Sequence, residues 1–160
     1  MPAGNDSISE LLRPEHIRVG LPGGTKTEVL DAVIDLLDRA PEVHRLETVR
    51  NDVWTRESQM STGVGKGLAL PHARSTAVRE TAVAVAVTAE PVPFDAIDDQ
   101  PVRLIFLIVG PEAARTRHIR LLGRISRLMN RDDFRESLLA AQTPEEVMSA
   151  FHEAEAAIDA

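Results

Sequence analysis

The sequence predicts a single α/β domain in which a small mixed β-sheet is flanked by helices. Three observations point there. Residues 81–88 read Thr-Ala-Val-Ala-Val-Ala-Val-Thr, and residues 102–109 form a nearly continuous apolar run, the pattern of strands buried on both faces. Helical periodicity precedes these strands over residues 25–57 and follows them from residue 112 to the end. At 160 residues the chain is long enough for one compact domain with its own core.

The elements follow in order. Residues 1–6 read as a loose tail and residues 7–160 as the domain. One helical turn over residues 7–12 precedes Pro14, and Ile17-Arg18-Val19 is extended. Leu21-Pro22-Gly23-Gly24 is a turn. Thr25 or Thr27 caps a helix running to about Arg39, with Val29, Val33, Leu36 and Leu37 at helical spacing. A second helix starts near Pro41 and runs to about Glu57, with Val43, Leu46, Val49 and Val53 on one side. Residues 60–67 are small and Gly-rich, and Leu68-Ala69-Leu70 is a short strand that Pro71 ends. A loop at Pro91-Val92-Pro93-Phe94-Asp95-Ala96 separates the two long strands. Helices are expected over residues 112–130 and 132–141. A last one opens at Thr143-Pro144-Glu145-Glu146, where Thr143 caps and the acids favour the N-terminal dipole.

Composition narrows the function classes. Aromatic residues make up 3%, so Ala, Val, Leu and Ile must fill the core. The net charge is −7, from 25 acids against 18 bases, with no Lys/Arg tract and few rings for stacking; nucleic acid is a poor partner. The chain has no cysteine, which removes disulfides, thiolate catalysis and Cys-rich zinc sites. The apolar stretches are too short for a membrane-spanning helix, and the N-terminus lacks a signal-peptide pattern. A cytoplasmic protein without membrane insertion is expected.

The histidines are His16, His44, His72, His118 and His152; no pair sits at i, i+4, so neither a metal site nor a cofactor is expected. Ser61-Thr62-Gly63-Val64-Gly65-Lys66-Gly67 invites a nucleotide reading and fails it. A P-loop needs Ser or Thr after the lysine, where Gly67 stands; a dinucleotide fingerprint needs glycine at Leu68. The segment is either a plain turn or a loop whose backbone N–H groups approach an anion. His72 follows the short strand. A neutral imidazole is a nitrogen nucleophile able to take a phosphoryl group, although a lone histidine is more often a structural group. His118 shares a helical stripe with Leu122 and Ile125, which turns it toward the interior or a cleft. Arg56 precedes the Gly-rich loop and carries a planar cation suited to phosphoryl oxygens, as do many arginines that are only surface residues. Spacing alone does not show that the three converge.

The run Arg56-Glu57-x-x-x-Ser61-Thr62-Gly63-x-Gly65-x-Gly67-x-Ala69-x-Pro71-His72 resembles the active-site signature of the fructose/mannitol-type enzyme IIA domains of the phosphoenolpyruvate:sugar phosphotransferase system. The resemblance continues in Pro93-Phe94-Asp95-Ala96-x-Asp98-x-Gln100-Pro101-Val102, in Pro111-Glu112 and in His118 with the helix after it. The general look is nearest to the single-domain nitrogen-related enzyme IIA proteins. The resemblance implies the enzyme IIA mannitol/fructose-type fold and a phosphotransferase working through phosphohistidine. His72 would be the acceptor, His118 the second active-site histidine and Arg56 the site arginine, with Thr62 and Gly63 binding the phosphoryl group. The implied donor is a phosphocarrier protein carrying phosphohistidine. The implied acceptor is a IIB domain in sugar uptake, or a regulatory target protein. With no cysteine and no apolar span, no cysteine-type IIB and no IIC part is expected here, so the acceptor is expected on another chain. Lys66 departs from the nitrogen-related pattern, where asparagine is expected; it either adds charge near phosphate or solvates the loop tip.

Two other readings stand beside this one. A non-transport regulatory module would keep the fold and use phosphorylation to set protein binding. A degenerate structural domain would not need Arg56, His72 and His118 together.

Overall fold

The computed structural model describes residues 7–159. Its strands are β1 (Ile17–Leu21), β2 (Gly63–Gly65), β3 (Leu68–Ala69), β4 (His72–Ser75), β5 (Ala82–Val92) and β6 (Val102–Pro111). Its α-helices are α1 (Lys26–Asp35), α2 (Leu46–Gln59), α3 (Arg115–Met129), α4 (Asp132–Ala140) and α5 (Pro144–Asp159). The strands form one mixed sheet in the order β1-β5-β6-β3-β2, with β4 also paired to β6. β5 and β6 are antiparallel, whereas β1 runs parallel to β5 and both β3 and β4 run parallel to β6.

The alternation in β5 sorts the core into two layers. Val83, Val85 and Val87 join Leu104, Phe106 and Ile108 under α3, α4 and α5, where Leu121, Ile125, Phe134 and Phe151 close the packing. Ala82, Ala84 and Ala86 join Ile105, Leu107 and Val109 under α1 and α2. The small alanine face lets Val29, Val33, Val49 and Val53 settle close to the sheet. Both faces are thus covered, as the apolar run of β6 requires.

Caps predicted from sequence form as expected. The Thr25 hydroxyl accepts from the Glu28 N–H at 3.1 Å and Glu28 answers the Thr25 N–H at 3.0 Å, a full capping box. Thr143 accepts from the Glu146 N–H at 3.1 Å. Three boundaries differ. α1 gives way after Asp35 to turns in which the Leu36, Leu37 and Asp38 N–H groups bond three residues back, and Arg39, with φ 74°, ends the helical backbone. α2 begins at Leu46, not near Pro41, because Val43 pairs with Val78 and the His44 N–H donates to Ala77 at 2.9 Å. That pairing satisfies the backbone outside a helix. α3 begins at Arg115 because β6 continues through Pro111. The expected tail at residues 1–6 lies outside the described residues.

The most consequential difference concerns Pro71. Sequence ends a strand there; in the structure the strand beside β6 breaks and resumes. β3 pairs Leu68 and Ala69 with Leu104 and Ile105, and β4 pairs His72 through Ser75 with Ile108 through Pro111. The Pro71 carbonyl still accepts from the Ile108 N–H at 3.1 Å across the break. Beyond the break β4 pairs with β6 alone, and at the start of such an edge strand proline forfeits one donor and little else. His72 is therefore the first residue of a strand rather than part of a loop.

Candidate active site

His72 is half-buried, and its Nδ1 lies 2.8 Å from the carbonyl oxygen of Leu70. A carbonyl only accepts, so Nδ1 carries the proton and Nε2 holds the free lone pair. The break at Pro71 brings that carbonyl, two residues back, within reach of the ring. Burial lowers the pKa of His72 below the ordinary imidazole value. The Leu70 contact raises it, the Arg56 cation lowers it and Glu57 raises it, with a lowered net result. At neutral pH His72 is a neutral imidazole with a defined tautomer.

His118, one turn into α3, packs beside it. The ring centroids are 5.6 Å apart and the planes are tilted by 50°. Gly110 makes room: a Cβ there would sit 3.3 Å from His118 Nδ1. His118 is 5% exposed, and neither ring nitrogen has a hydrogen-bond partner among the described residues. Burial, followed by the neighbouring His72 and Arg74, pushes its pKa down to about 4. A buried neutral imidazole with both nitrogens unserved is costly unless something arrives to use them.

Arg56 lies in the last turn of α2, where its Nη1 donates to the Met60 carbonyl at 3.2 Å. His72, His118 and Arg56 line one open cleft, together with Arg74, Arg115 and Ile119. Arg74 and Arg115 went unnoticed in the sequence. Arg74 is two residues beyond His72 on β4 and so shares its face, a signal hidden until Pro71 is read as a break inside a strand. Its Nη1 donates to the Glu112 carbonyl at 2.6 Å. Arg115 opens α3 three residues before His118, the spacing of neighbours on a helix face. Three guanidinium groups around two neutral imidazoles make a place for a small dianion.

Among the described residues, no group of three His, Asp or Glu side chains gathers as a metal site would require.

The chain matches the family model described as phosphoenolpyruvate-dependent sugar phosphotransferase system, EIIA 2, over residues 10–154. It belongs to this family. It is 32% identical over 146 residues to the fructose-specific EIIABC component of Bacillus subtilis, covering 91% of this chain but only 23% of that protein's length. It is 35% identical to the fructose-specific EIIA component of Haloferax volcanii, covering 91% of this chain and 95% of the relative. Among solved structures, nitrogen regulatory protein IIA-Ntr from Neisseria meningitidis superposes with a TM-score of 0.84 at 34% identity, covering 90% of this chain and 98% of that one. EIIA 2 chains are phosphoryl carrier domains of the phosphotransferase system, and the mixed sheet with its helical layers is theirs.

Two expected residues of this EIIA 2 chain stand apart from the cleft. The Thr62 N–H and hydroxyl donate to Glu57 at 2.9 and 2.6 Å, and the Gly63 N–H donates to Ser61 Oγ at 3.0 Å. These donors are already engaged, and neither residue lines the cleft. Gly63 has a packing reason instead: a Cβ would meet Ala96 at 2.9 Å. Glu57, buried beside Arg56 in sequence, gathers the supports. It pairs with Lys26 at 2.8 Å, whose ammonium lies 4.7 Å from the Phe94 ring centroid, while Ser61 Oγ donates to the Phe94 carbonyl at 2.6 Å. The Gly-rich segment and the Pro93-Phe94-Asp95-Ala96 loop are therefore one packed unit that fixes the end of α2. Lys66 sits at the hairpin tip with φ 60°, followed by Gly67 at 77°, a turn in which asparagine is the better residue. Its ammonium donates to Asn130 at 3.0 Å, away from His72.

Proposed function

We propose that His72 Nε2 accepts the phosphoryl group from a phosphocarrier protein bearing phosphohistidine and hands it on. The observation that carries this reading is the pairing of a tautomer-fixed His72 with a buried His118 whose nitrogens lack partners. In the forward step the His72 lone pair attacks phosphorus in line. The bond to the donor's imidazole nitrogen breaks, and that nitrogen leaves with the electron pair. The His72 ring gains positive charge as the new N–P bond forms, and the bond from Nδ1–H to the Leu70 carbonyl strengthens with it. His118 donates a ring N–H to a phosphoryl oxygen, and Arg56 and Arg74 balance the equatorial charge; positioning and electrostatics are the whole of the catalysis. Thr62 and Gly63 support the site through the Glu57 unit.

The downstream acceptor in this reading is a IIB domain, which places the protein in sugar uptake in the cytoplasm. A second reading is favoured by the similarity to the Neisseria nitrogen regulatory protein. In it, the phosphoryl group neutralises the arginine-lined cleft and thereby sets which protein binds. The described helices include none long and apolar enough to cross a membrane, which suits either role.

Incubation with phosphoenolpyruvate, the first enzyme of the relay and the phosphocarrier protein should label the wild-type chain and leave His72→Ala unlabelled. Label on His72→Ala overturns the assignment. Transfer of that label to a IIB domain separates uptake from regulation.

A further inference from the structure

The Gly-rich hairpin has little with which to hold its own shape. β2 and β3 are very short, their register shifts between Gly63 and Gly65, and Gly63, Gly65 and Gly67 bring no side chains to pack. Its fixed point is Thr62, buried at 3% exposure, whose N–H and hydroxyl both donate to the Glu57 carboxylate. The Glu57 side chain is 1% exposed, and Lys26 supplies the counter-charge that a buried carboxylate needs. Such a pair adds little stability over apolar groups of the same shape, so the position it specifies is its better explanation. That position leads to His72. The Thr62 carbonyl accepts from the Leu70 N–H at 2.9 Å, and the Leu70 carbonyl accepts from His72 Nδ1 at 2.8 Å. Leu70 is thus gripped on both sides: Thr62 holds its N–H, and Pro71 confines its ψ to the extended range. Hydrogen bonds in series run from the buried carboxylate to the ring nitrogen that keeps its proton.

We propose that Glu57 and Thr62 are positioning residues for phosphoryl transfer: they aim the Leu70 carbonyl at His72 Nδ1 and so keep Nε2 bare. The inference rests on the carrier reading above. Neither residue lines the cleft, so both act through Leu70 and not on the phosphoryl group. A free histidine ring favours the proton on Nε2, the nitrogen that has to attack phosphorus. The partner of Nδ1 reverses that preference, and the direction of one carbonyl decides which nitrogen is bare. When the anchor at Thr62 slackens, the carbonyl swings, the ring relaxes toward its ordinary tautomer, and the reactive fraction of His72 falls.

The test compares the wild-type chain with Thr62→Val, which removes the hydroxyl at nearly constant shape, and with Thr62→Ser, which keeps it. Nitrogen NMR of the unphosphorylated protein at about pH 8, where the imidazole is neutral, reads the His72 tautomer directly. The wild type and Thr62→Ser should hold the proton on Nδ1, and Thr62→Val should show a mixture with Nε2–H. Labelling by the phosphorylated phosphocarrier protein should be roughly tenfold slower in Thr62→Val and close to wild type in Thr62→Ser. Glu57→Gln is the second variant, because its single amide oxygen replaces two carboxylate acceptors; it should move the tautomer the same way. An unchanged tautomer and labelling rate in folded Thr62→Val or Glu57→Gln, whatever happens to the melting temperature, overturn the proposal and leave the carrier reading standing. A slower rate with the tautomer unchanged also overturns it. No label on wild-type His72 overturns the carrier reading and this role with it, whereas the tautomer, read without phosphate, reports separately on the chain of bonds.

Discussion

Two buried polar clusters sit on opposite terms with their surroundings. Around Glu155 every demand is met. Its carboxylate accepts from the Ser7 hydroxyl at 3.0 Å, the Ile8 and Ser9 N–H groups at 2.7 and 2.8 Å, Arg124 Nε at 2.6 Å and the Ser9 hydroxyl. Burial alone raises its pKa, but hydrogen bonds from Ser9, Arg124 and Ile8 outweigh it and hold the carboxyl below its ordinary value. Around His118 the ring nitrogens are buried and find no partner among the described residues. Saturation is what a structural network needs, and Glu155 uses it to fasten the chain's start to α5 and α3. An unserved buried pair costs free energy in the resting protein and is recovered when a ligand supplies acceptors.

That contrast can be broken in several ways. Glu155→Ala should cost about 3–5 kcal/mol by leaving Arg124 Nε and two N–H groups without their acceptor, while phosphoryl labelling at low temperature persists. Urea titration and labelling of the same sample check both halves. His118→Leu should do the reverse. Replacing an unsatisfied ring by an apolar side chain leaves stability close to wild type, while the loss of a charge-stabilising donor raises the transfer barrier by about 2.7–4 kcal/mol. Single-turnover labelling rates and thermal melts decide it; a large loss of stability with an unchanged rate would show that His118 is a core residue.

Acid should reveal the two clusters in separate windows. The unfolded chain takes up a proton on His118 as pH falls below 6.5, whereas the folded chain resists until about 4, so stability declines on acidification across that interval. His72 and His16 add in the same direction. Glu155 contributes above its unfolded value of 4.5, and its share is lost as pH falls through the lower folded value. Stability measured against pH should therefore flatten above pH 4.5 in His118→Leu and keep its steep acid limb. A smaller effect concerns the hairpin. Lys66→Asn should stabilise by a few tenths to about 1 kcal/mol, because asparagine tolerates the left-handed conformation at that position. An unchanged melt would mean that the Lys66–Asn130 bond offsets the backbone preference.

Much of the fold was legible because it is written in local patterns. The alternation of residues 81–88, the Thr25 and Thr143 caps and the inward stripe of α3 each depend on residues within one or two turns. Boundaries failed where a distant segment intervened: Val78 drew Val43 into a bridge, and β6 took up the chain again beyond Pro71. In the cleft, His72, His118 and Arg56 were legible through their resemblance to a family signature, while Arg74 was not, because its face depends on a strand that sequence had already ended. Thr62 and Gly63 were expected from the resemblance to bind the phosphoryl group; their donors serve Glu57 and Ser61.

The sequence by itself determined the groups available: an imidazole at His72, no thiol, and an apolar strand pair beside it. Tertiary structure decided the rest. Which face of β4 His72 shares with Arg74, and how closely Gly110 admits His118, depend on sheet register and on packing between segments tens of residues apart. Such contacts are set by the closure of the whole core, and no local spacing encodes them.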